Sequence, residues 1–556
     1  MTKHKTSERV LDFFFILGTV LVLFPHFSKD YIPSFLFPFF GSDMVLSIYP
    51  FFIFSLLAIF LLFQKGEYKK ILFLVFSCVF FCFGFLVITE HGLHMILSGV
   101  TEYDVQQLEG SRLSFFNLVT KFFGDKDITF RLSVSEGLFS LYAAFNQYKE
   151  IYMVCFLILF SYQDRIHDAK KNLFVGLIVS FAFVILYELI EFPFLWGSEW
   201  SIELQKKIKP FLHLVNRDGT WWPPLIWQDH VLRSVFAEPS FFGYYLGFTT
   251  VAFIHLLLNY KHKIIWAVLL FLSSWFGFLT NSRSGVMLVL GGTAVYCLLY
   301  LIKERNIKGI LVVILVIGLA FIGNNLVEKI KVEHGTATAA IVEKEEDNTV
   351  VSPIDGSVFE VLKASFEPAE AVKNSFSESS VVQTFKTVFS FTARSNVTRY
   401  GCTFAELSIG LSNPIFGVGE LYIGNYLPGA LNELGFGNYE LAGWTQRQEE
   451  SGALNNEFAS FNAFTSSFAE GGIVGFVLEV GLLLFLVVSY LIVFLKTKRK
   501  DVGNFSLMLF SMLAVIFAWG FSNNFQESYL YVVTLGIALA DVATCRRLLK
   551  EGKTKV

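Results

Sequence analysis

Long apolar runs recur along most of this chain, and short polar segments separate them. A run of roughly 17 to 25 apolar residues is long enough to cross a hydrocarbon core of about 30 Å as a helix. The pattern therefore predicts an all-α, polytopic integral membrane protein with about twelve transmembrane helices. They are expected near residues 10–27, 44–64, 71–89, 139–163, 172–195, 240–259, 264–281, 285–302, 309–325, 468–495, 505–522 and 526–545.

The composition supports this prediction. Hydrophobic residues make up 54% of the 556 residues, only 16% are charged, and 65 are phenylalanine. A chain this apolar is not expected to stay soluble as a single folded globule. The lipid bilayer is therefore its expected surroundings.

The distribution of lysine and arginine predicts the orientation. Cytoplasmic loops of membrane proteins hold an excess of both residues. Here basic clusters flank both termini and follow every second predicted helix: Lys3, Lys5 and Arg9; Lys65, Lys69 and Lys70; Arg165, Lys170 and Lys171; Lys261 and Lys263; Lys303, Arg305 and Lys308; Lys496, Lys498, Arg499 and Lys500; Arg546 and Arg547. Both termini are therefore expected in the cytoplasm.

This topology predicts three parts of the chain and two long segments outside the membrane. Residues 1–325 hold helices 1 to 9, with an outer loop at about 196–239. Residues 326–467 form a large extracytoplasmic loop between helices 9 and 10. Residues 468–556 hold helices 10 to 12 and a cytoplasmic tail.

The large loop is expected to have two different halves. The first half is rich in acidic residues, serine and threonine and has few aromatics, so it is expected to be flexible. In the second half, apolar residues recur at helical spacing, which predicts an amphipathic helix that caps the membrane domain. They are Val397, Tyr400, Phe404, Leu407 and Leu411.

The sequence contains no recognisable metal or nucleotide site. Its ten histidines are scattered, and no Cys/His or His/carboxylate group has the spacing of metal ligands. A phosphate-binding glycine loop is also missing. We therefore expect no metal, no cofactor and no nucleic acid partner.

Arg283 lies in an unusual place, in a short turn that joins two predicted helices on the outer side. The topology rule disfavours arginine there. Within hydrocarbon it would cost roughly 2.5 to 3.5 kcal/mol, and an arginine in a membrane helix is a candidate functional residue. A guanidinium beside a helix start capped by Ser282 makes an anion site. The alternative is an arginine that snorkels from a helix end.

A second group precedes the sixth predicted helix. Glu238 followed by Pro239 is also expected from ordinary helix initiation, but that explanation does not account for Arg233. Trp221 and Trp222 lie nearby and could stack on sugar rings or belong to the aromatic belt of the membrane interface.

A third group lies before and within the tenth predicted helix. Asn462 precedes it, and Glu470 is followed by Gly471 and Gly472. A lipid-facing glutamate would be costly, so we expect Glu470 to face the protein interior or a wet cavity.

These motifs, in this order, resemble the O-antigen polymerase and ligase family over roughly residues 220–490. The matching stretches are residues 233–243, 281–285, Arg399 followed by 413–419, 461–464 and 470–472. The resemblance implies a GT-C-like glycosyltransferase of the bacterial cytoplasmic (inner) membrane. Such enzymes transfer a glycan from undecaprenyl pyrophosphate on the outer face of the membrane.

Within that resemblance, the expected catalytic residues are Arg283, on the pyrophosphate, and Glu238, which orients the acceptor or takes its proton. The expected substrate-binding residues are Arg233, Arg399, Asn462, Glu470, Trp221 and Trp222. The expected partners are an undecaprenyl-pyrophosphate-linked oligosaccharide, the lipid bilayer and, as a candidate, a chain-length regulator.

Three functions remain open on sequence alone. A polymerase is favoured, because ligases of this family usually place a histidine beside the asparagine where this chain has Phe461 and Asn462. A ligase that acts on lipid A core is the closer alternative. A lipid-linked sugar flippase or transporter is the more distant one, although its substrate site would be expected near the midplane, in two related halves.

Overall fold

The computed structural model describes residues 2–25, 46–212, 231–335, 394–496, 503–525 and 529–551. These residues form helices joined by turns, and they contain no β-strand. The all-α class is therefore confirmed. The first half of the large loop lies almost entirely outside the described residues.

Twenty α-helices are described, numbered here in chain order. The first half contains α1 (Thr2–Val20), α2 (Ile48–Gln64), α3 (Tyr68–Ile96), α4 (Glu102–Gln106), α5 (Gly110–Phe123), α6 (Ile128–Gln147), α7 (Met153–Tyr162), α8 (Ile166–Glu191), α9 (Glu199–Leu212) and α10 (Pro239–Asn259). The second half contains α11 (Lys263–Leu279), α12 (Arg283–Glu304), α13 (Ile307–Gly335), α14 (Arg394–Ser412), α15 (Leu427–Glu433), α16 (Tyr439–Ser451), α17 (Ala463–Glu479), α18 (Gly481–Lys496), α19 (Asn504–Gly520) and α20 (Leu530–Lys550).

Several of these helices are long and apolar enough to cross a membrane. Five single segments qualify among the described residues: Tyr68–Gly99, Ile166–Trp196, Pro239–Asn259, Arg283–Glu304 and Ile307–Ile330. The pair α17 and α18, bent by 46°, is a sixth if it counts as one span. The protein is therefore membrane-embedded, while the number of about twelve spans stays a prediction.

Polar residues interrupt the fourth predicted span, and the helix changes form there. Between α6 and α7 the backbone continues through one π-helical turn at Tyr148–Tyr152. Within it, Lys149 donates to Asn146 Oδ1 over 3.0 Å, and Tyr529 Oη donates to the Glu150 carbonyl over 2.6 Å. The extra residue of a π turn allows the polar groups to find partners without ending the helix.

The helices of residues 100–138 were not predicted from the sequence, and they pack against the second half of the large loop. Arg112 and Glu136 form a buried ion pair of 2.8 Å between α5 and α6. Arg112 also donates to the Leu454 carbonyl, and Tyr422 Oη donates to Glu136 over 3.2 Å. Two segments more than 280 residues apart in sequence are thereby joined through one buried pair.

The amphipathic helix α14 exists as predicted, but the larger residues of its apolar stripe do not pack inside the protein, and its role as a cap stays a prediction. Phe404, Leu407 and Leu411 are exposed, while Cys402 and Ala405 on the other side are buried. The small residues of that side let α17 and α15 approach closely and form a separate outer core. Its members are Cys402, Ala405, Ile409, Val418, Ile423, Leu427, Leu431, Leu441, Phe458 and Ala469.

Candidate functional site

Two helices that begin at the same end of the molecule lie against each other. A Cβ atom at Gly243 of α10 would lie 2.3 Å from the Cα atom of Gly285 in α12, so the two backbones are in contact. Only glycine permits this approach. The helices run in the same direction, and their amino ends, at Pro239 and Arg283, are therefore adjacent. Both ends carry N–H groups that have no partner within their own helix, and the positive pole of a helix dipole.

Arg283 is the first residue of α12 and is half-buried. Ser282 caps the helix by accepting a hydrogen bond from the Gly285 amide over 3.2 Å, as the sequence predicted. The Arg283 guanidinium donates to Asn396 Oδ1 over 2.9 Å. Since Asn396 lies in the first turn of α14, this bond links the start of α12 to the start of α14.

Arg399 lies one turn after Asn396 on α14. Its guanidinium donates to the Ser522 carbonyl over 2.9 Å, just beyond the end of α19, and lies over the Phe461 ring at 5.1 Å. Arg283, 116 positions before Arg399 in sequence, thus contacts α14 one turn before Arg399.

Asn462, which follows Phe461, caps α17. Its Oδ1 atom accepts hydrogen bonds from the amides of Phe464 and Thr465, over 3.0 and 3.3 Å. The residue is buried. Its position is therefore explained by helix capping, and it stands next to the ring that supports Arg399.

Arg233, predicted as a substrate ligand, has a side chain that points inward, and its role in binding substrate stays a prediction. It is only 3% exposed and donates to the Ala237 carbonyl over 2.8 Å. Burial lowers the pKa of Arg233 to about 10, and the Glu191 carboxylate opposes that change. Arg233 therefore stays charged at neutral pH and acts by fixing the segment that leads to Glu238.

Glu238 stands directly before α10 and is half-buried. It does not cap the helix with its side chain; instead Ser240 Oγ donates to Glu238 Oε2 over 3.0 Å. The carboxylate lies at the same helix start that touches α12. The structure thus brings Glu238 and Arg283 to two adjacent helix ends.

A buried ion pair between Lys209 and Glu191, not predicted from the sequence, lies behind this segment. Lys209 donates to Glu191 Oε1 over 2.9 Å and to the Ser234 carbonyl over 2.7 Å. Burial lowers the pKa of Lys209 to about 8. A signal was present in the sequence, because Ser201, Gln205 and Lys209 recur every four residues and all are buried on one face of α9.

Glu470 lies apart from the arginines. It lines a small cleft of about 10 Å³ together with Glu420, Glu479 and Ser467, as expected for a glutamate that avoids lipid. Its charged neighbours there are acidic: Glu420, Glu479 and Glu406. The structure therefore does not place Glu470 with the predicted pyrophosphate ligands.

Two of the motifs that carry the family resemblance meet beside this cleft. The amides of Val418 and Gly419 donate to the carbonyls of Ala469 and Glu470, over 3.0 and 2.8 Å. The Ile473 amide donates to the Pro414 carbonyl over 2.8 Å. The segment of residues 413–419 thus runs along a break in α17 at Gly472, whose φ of 58° suits glycine.

Trp221 and Trp222 lie outside the described residues, and their predicted role stays a prediction. Among the residues that the structure does describe, no three His, Cys, Asp or Glu side chains are grouped so that they could hold a metal ion. The residues gathered around Arg283 instead suit an anion.

Comparisons with known proteins add no name to this site. No protein-family model matches the chain, and no curated protein matches it significantly. The function proposed for the site therefore rests on its own residues.

Proposed function

We propose that this protein is a polysaccharide polymerase of the membrane. It transfers a glycan chain from undecaprenyl pyrophosphate to a lipid-linked oligosaccharide repeat unit on the outer face of the cytoplasmic membrane. The observation that carries the proposal is the bond from Arg283 to Asn396, because it brings the arginine at the start of α12 to the first turn of α14, one turn before Arg399. A candidate partner is a separate chain-length regulator.

The proposal includes a topology. The chain has about twelve spans in a GT-C-like arrangement, and both termini lie on the cytoplasmic side of a bacterial inner membrane. The starts of α10 and α12 then lie at the outer surface. Basic residues at their opposite ends support this orientation, among them Lys261 and Lys303.

The proposed chemistry needs no metal to neutralise charge. The acceptor hydroxyl oxygen attacks the anomeric carbon, the bond from that carbon to the pyrophosphate oxygen breaks, and the pyrophosphate leaves with the electron pair. The planar guanidinium groups of Arg283 and Arg399 suit its oxygens, and the helix ends add favourable dipoles. Glu238 orients the acceptor and takes the hydroxyl proton.

The site is tested by Arg283→Lys. Lysine keeps the positive charge and can snorkel, but it cannot form two parallel hydrogen bonds to a pyrophosphate. We expect normal insertion and accumulation, but transfer slowed roughly a hundredfold, or about 3 kcal/mol. The readout is the polymer ladder in cells that lack the native gene, together with transfer by the purified protein.

A matched control is Arg305→Lys at the opposite end of α12, where the residue is exposed. It should leave the polymer ladder unchanged. A normal ladder from Arg283→Lys at equal expression would reject Arg283 as a site residue and leave it as an interfacial anchor.

A further inference from the structure

Helix α14 carries an apolar stripe that is exposed in the described part of the protein, although Phe404 stacks on the Phe436 ring. Phe404 is 43% exposed, Leu407 is 38% exposed and Leu411 is 66% exposed. These residues are spaced three and four apart, so they lie along one side of the helix. Of the charged residues of α14 whose side chains are described, Glu406 is buried and Arg399 contacts Ser522.

The two ends of α14 are anchored near the ends of two candidate membrane spans. At its start, Asn396 contacts Arg283, which lies about 33 Å along the 22-residue α12 from its other end. Just after its end, Val418 touches Gly92 of α3, 24 positions and about 36 Å beyond Tyr68. Both contacts thus lie at the end of a candidate span that is far from its basic flank, Lys303 in α12 and Lys69 and Lys70 in α3, so α14 runs along the membrane surface rather than across it.

The stripe continues onto a membrane-spanning helix. Beyond Leu411 comes Ile415, 58% exposed, whose neighbour Pro414 accepts a hydrogen bond from the Ile473 amide. Ile473 and Val477 are 51% and 57% exposed on α17, in the part that leads into the candidate span. Exposed apolar residues on a spanning helix face lipid, and the stripe is contiguous with that surface.

We propose that α14 lies in the outer interface of the membrane, with Phe404, Leu407 and Leu411 among the acyl chains of the outer leaflet. Helices that lie in the interface plane bury their apolar side about 5 to 10 Å into the boundary between headgroups and chains. This inference does not depend on the proposed enzymatic function. It places Arg399 and Asn396, on the same helix, at the level of lipid phosphates.

The test is a spin-label accessibility experiment in phosphatidylethanolamine/phosphatidylglycerol vesicles. Cysteine is introduced singly as Leu407→Cys or Leu411→Cys and labelled with a nitroxide, and the unsubstituted protein taken through the same labelling serves as the blank. Val477→Cys on α17 is the lipid-facing reference. Arg447→Cys, exposed on α16, is the water-facing reference.

We expect both α14 labels to behave like the Val477→Cys label, with high accessibility to oxygen and low accessibility to a water-soluble nickel complex. Labels that behave like the one at Arg447→Cys would overturn the proposal by placing the stripe in water. Labels inaccessible to both reagents would also overturn it, because the stripe would then be covered by a second copy or by another protein.

Discussion

The ammonium nitrogen of Lys209 lies 2.9 Å from a carboxylate oxygen of Glu191, and neither side chain is more than 1% exposed. The pair also fixes Ser234, whose amide donates to Glu191 Oε2 over 2.5 Å and whose carbonyl accepts from Lys209. Arg233 and Glu238 flank Ser234 in the same short segment. A buried pair that lies 24 or more positions upstream of Arg233 thus positions the residues that lead into the proposed site.

Replacing one member of this pair should lower the stability of the protein much more than replacing both. Lys209→Met or Glu191→Gln leaves a buried charge without its partner, at a cost of about 3 to 5 kcal/mol. We expect lower yield and a lower apparent melting temperature in detergent for each single variant, and partial recovery in the double variant. If the double variant loses as much melting temperature as the two single variants together, the two residues do not act as a coupled pair.

The neighbouring exposed pair provides the control for this experiment. Lys206 and Glu203 lie 3.1 Å apart on α9, with side chains 52% and 62% exposed. Exposed pairs contribute little to stability. Lys206→Met should therefore leave the melting temperature almost unchanged.

Glu238→Gln tests the proposed role in acceptor activation. If the carboxylate takes the acceptor proton, transfer should slow roughly a hundredfold while binding of the lipid pyrophosphate donor persists. Donor binding and single-turnover transfer are measured on purified protein. Ser240→Ala, which removes the hydrogen bond to Glu238 but leaves the carboxylate, should cost much less. A wild-type rate from Glu238→Gln would mean that Glu238 only favours the start of α10.

Glu406 should give the protein a measurable pH dependence of stability. Burial raises the pKa of Glu406 from 4.5 to about 8, although Thr465 opposes this by donating a hydrogen bond over 2.5 Å. A raised folded-state pKa contributes stability that is complete below pH 4.5 and is lost as pH rises through about 8. Apparent melting temperatures at pH 5 and pH 8 should therefore differ less for Glu406→Gln than for the wild type.

The exposed Glu433 supplies the comparison for that measurement. Glu433→Gln should keep the wild-type pH dependence. An unchanged difference between pH 5 and pH 8 in Glu406→Gln would show that other groups cause it.

Gly472→Ala should destabilise the break in α17. The φ of 58° disfavours a side chain, and an added Cβ would lie 2.3 Å from the carbonyl carbon of Ile415. A loss on the order of 1 to 3 kcal/mol is expected, seen as a lower apparent melting temperature. Gly481→Ala at the start of α18, where the nearest contact is an ordinary 3.5 Å, should be tolerated. Equal stability of both variants would contradict a strained break.

Transfer should persist in excess EDTA, because arginines take the place of a cation in the proposed site. The purified protein is assayed with a lipid pyrophosphate donor, with and without the chelator. Activity that is lost with EDTA and restored by magnesium would reject a metal-independent mechanism.

The sequence by itself determined the class of the protein and the approximate limits of many helices. The predicted helix starts at residues 240 and 285 agree closely with Pro239 and Arg283. These features are local, because a helix in lipid must satisfy its backbone hydrogen bonds within its own segment and needs a continuous apolar run. The unusual position of Arg283 could also be predicted from the neighbouring sequence, because it lies in a short outer turn between two apolar runs.

Only the tertiary structure decided which residues meet. The bond between Arg283 and Asn396 joins positions that are 113 residues apart in sequence. A periodic pattern of apolar residues predicts local helices but not a contact between positions so far apart. The side of α14 that packs was also invisible in the sequence, since small residues such as Cys402 and Ala405 allowed close contact where larger apolar residues had indicated the core. The inward direction of the Arg233 side chain depends likewise on the charge of Glu191, a residue at the end of α8. Packing between distant segments sets these outcomes, and it follows shape and charge that only the folded chain brings together.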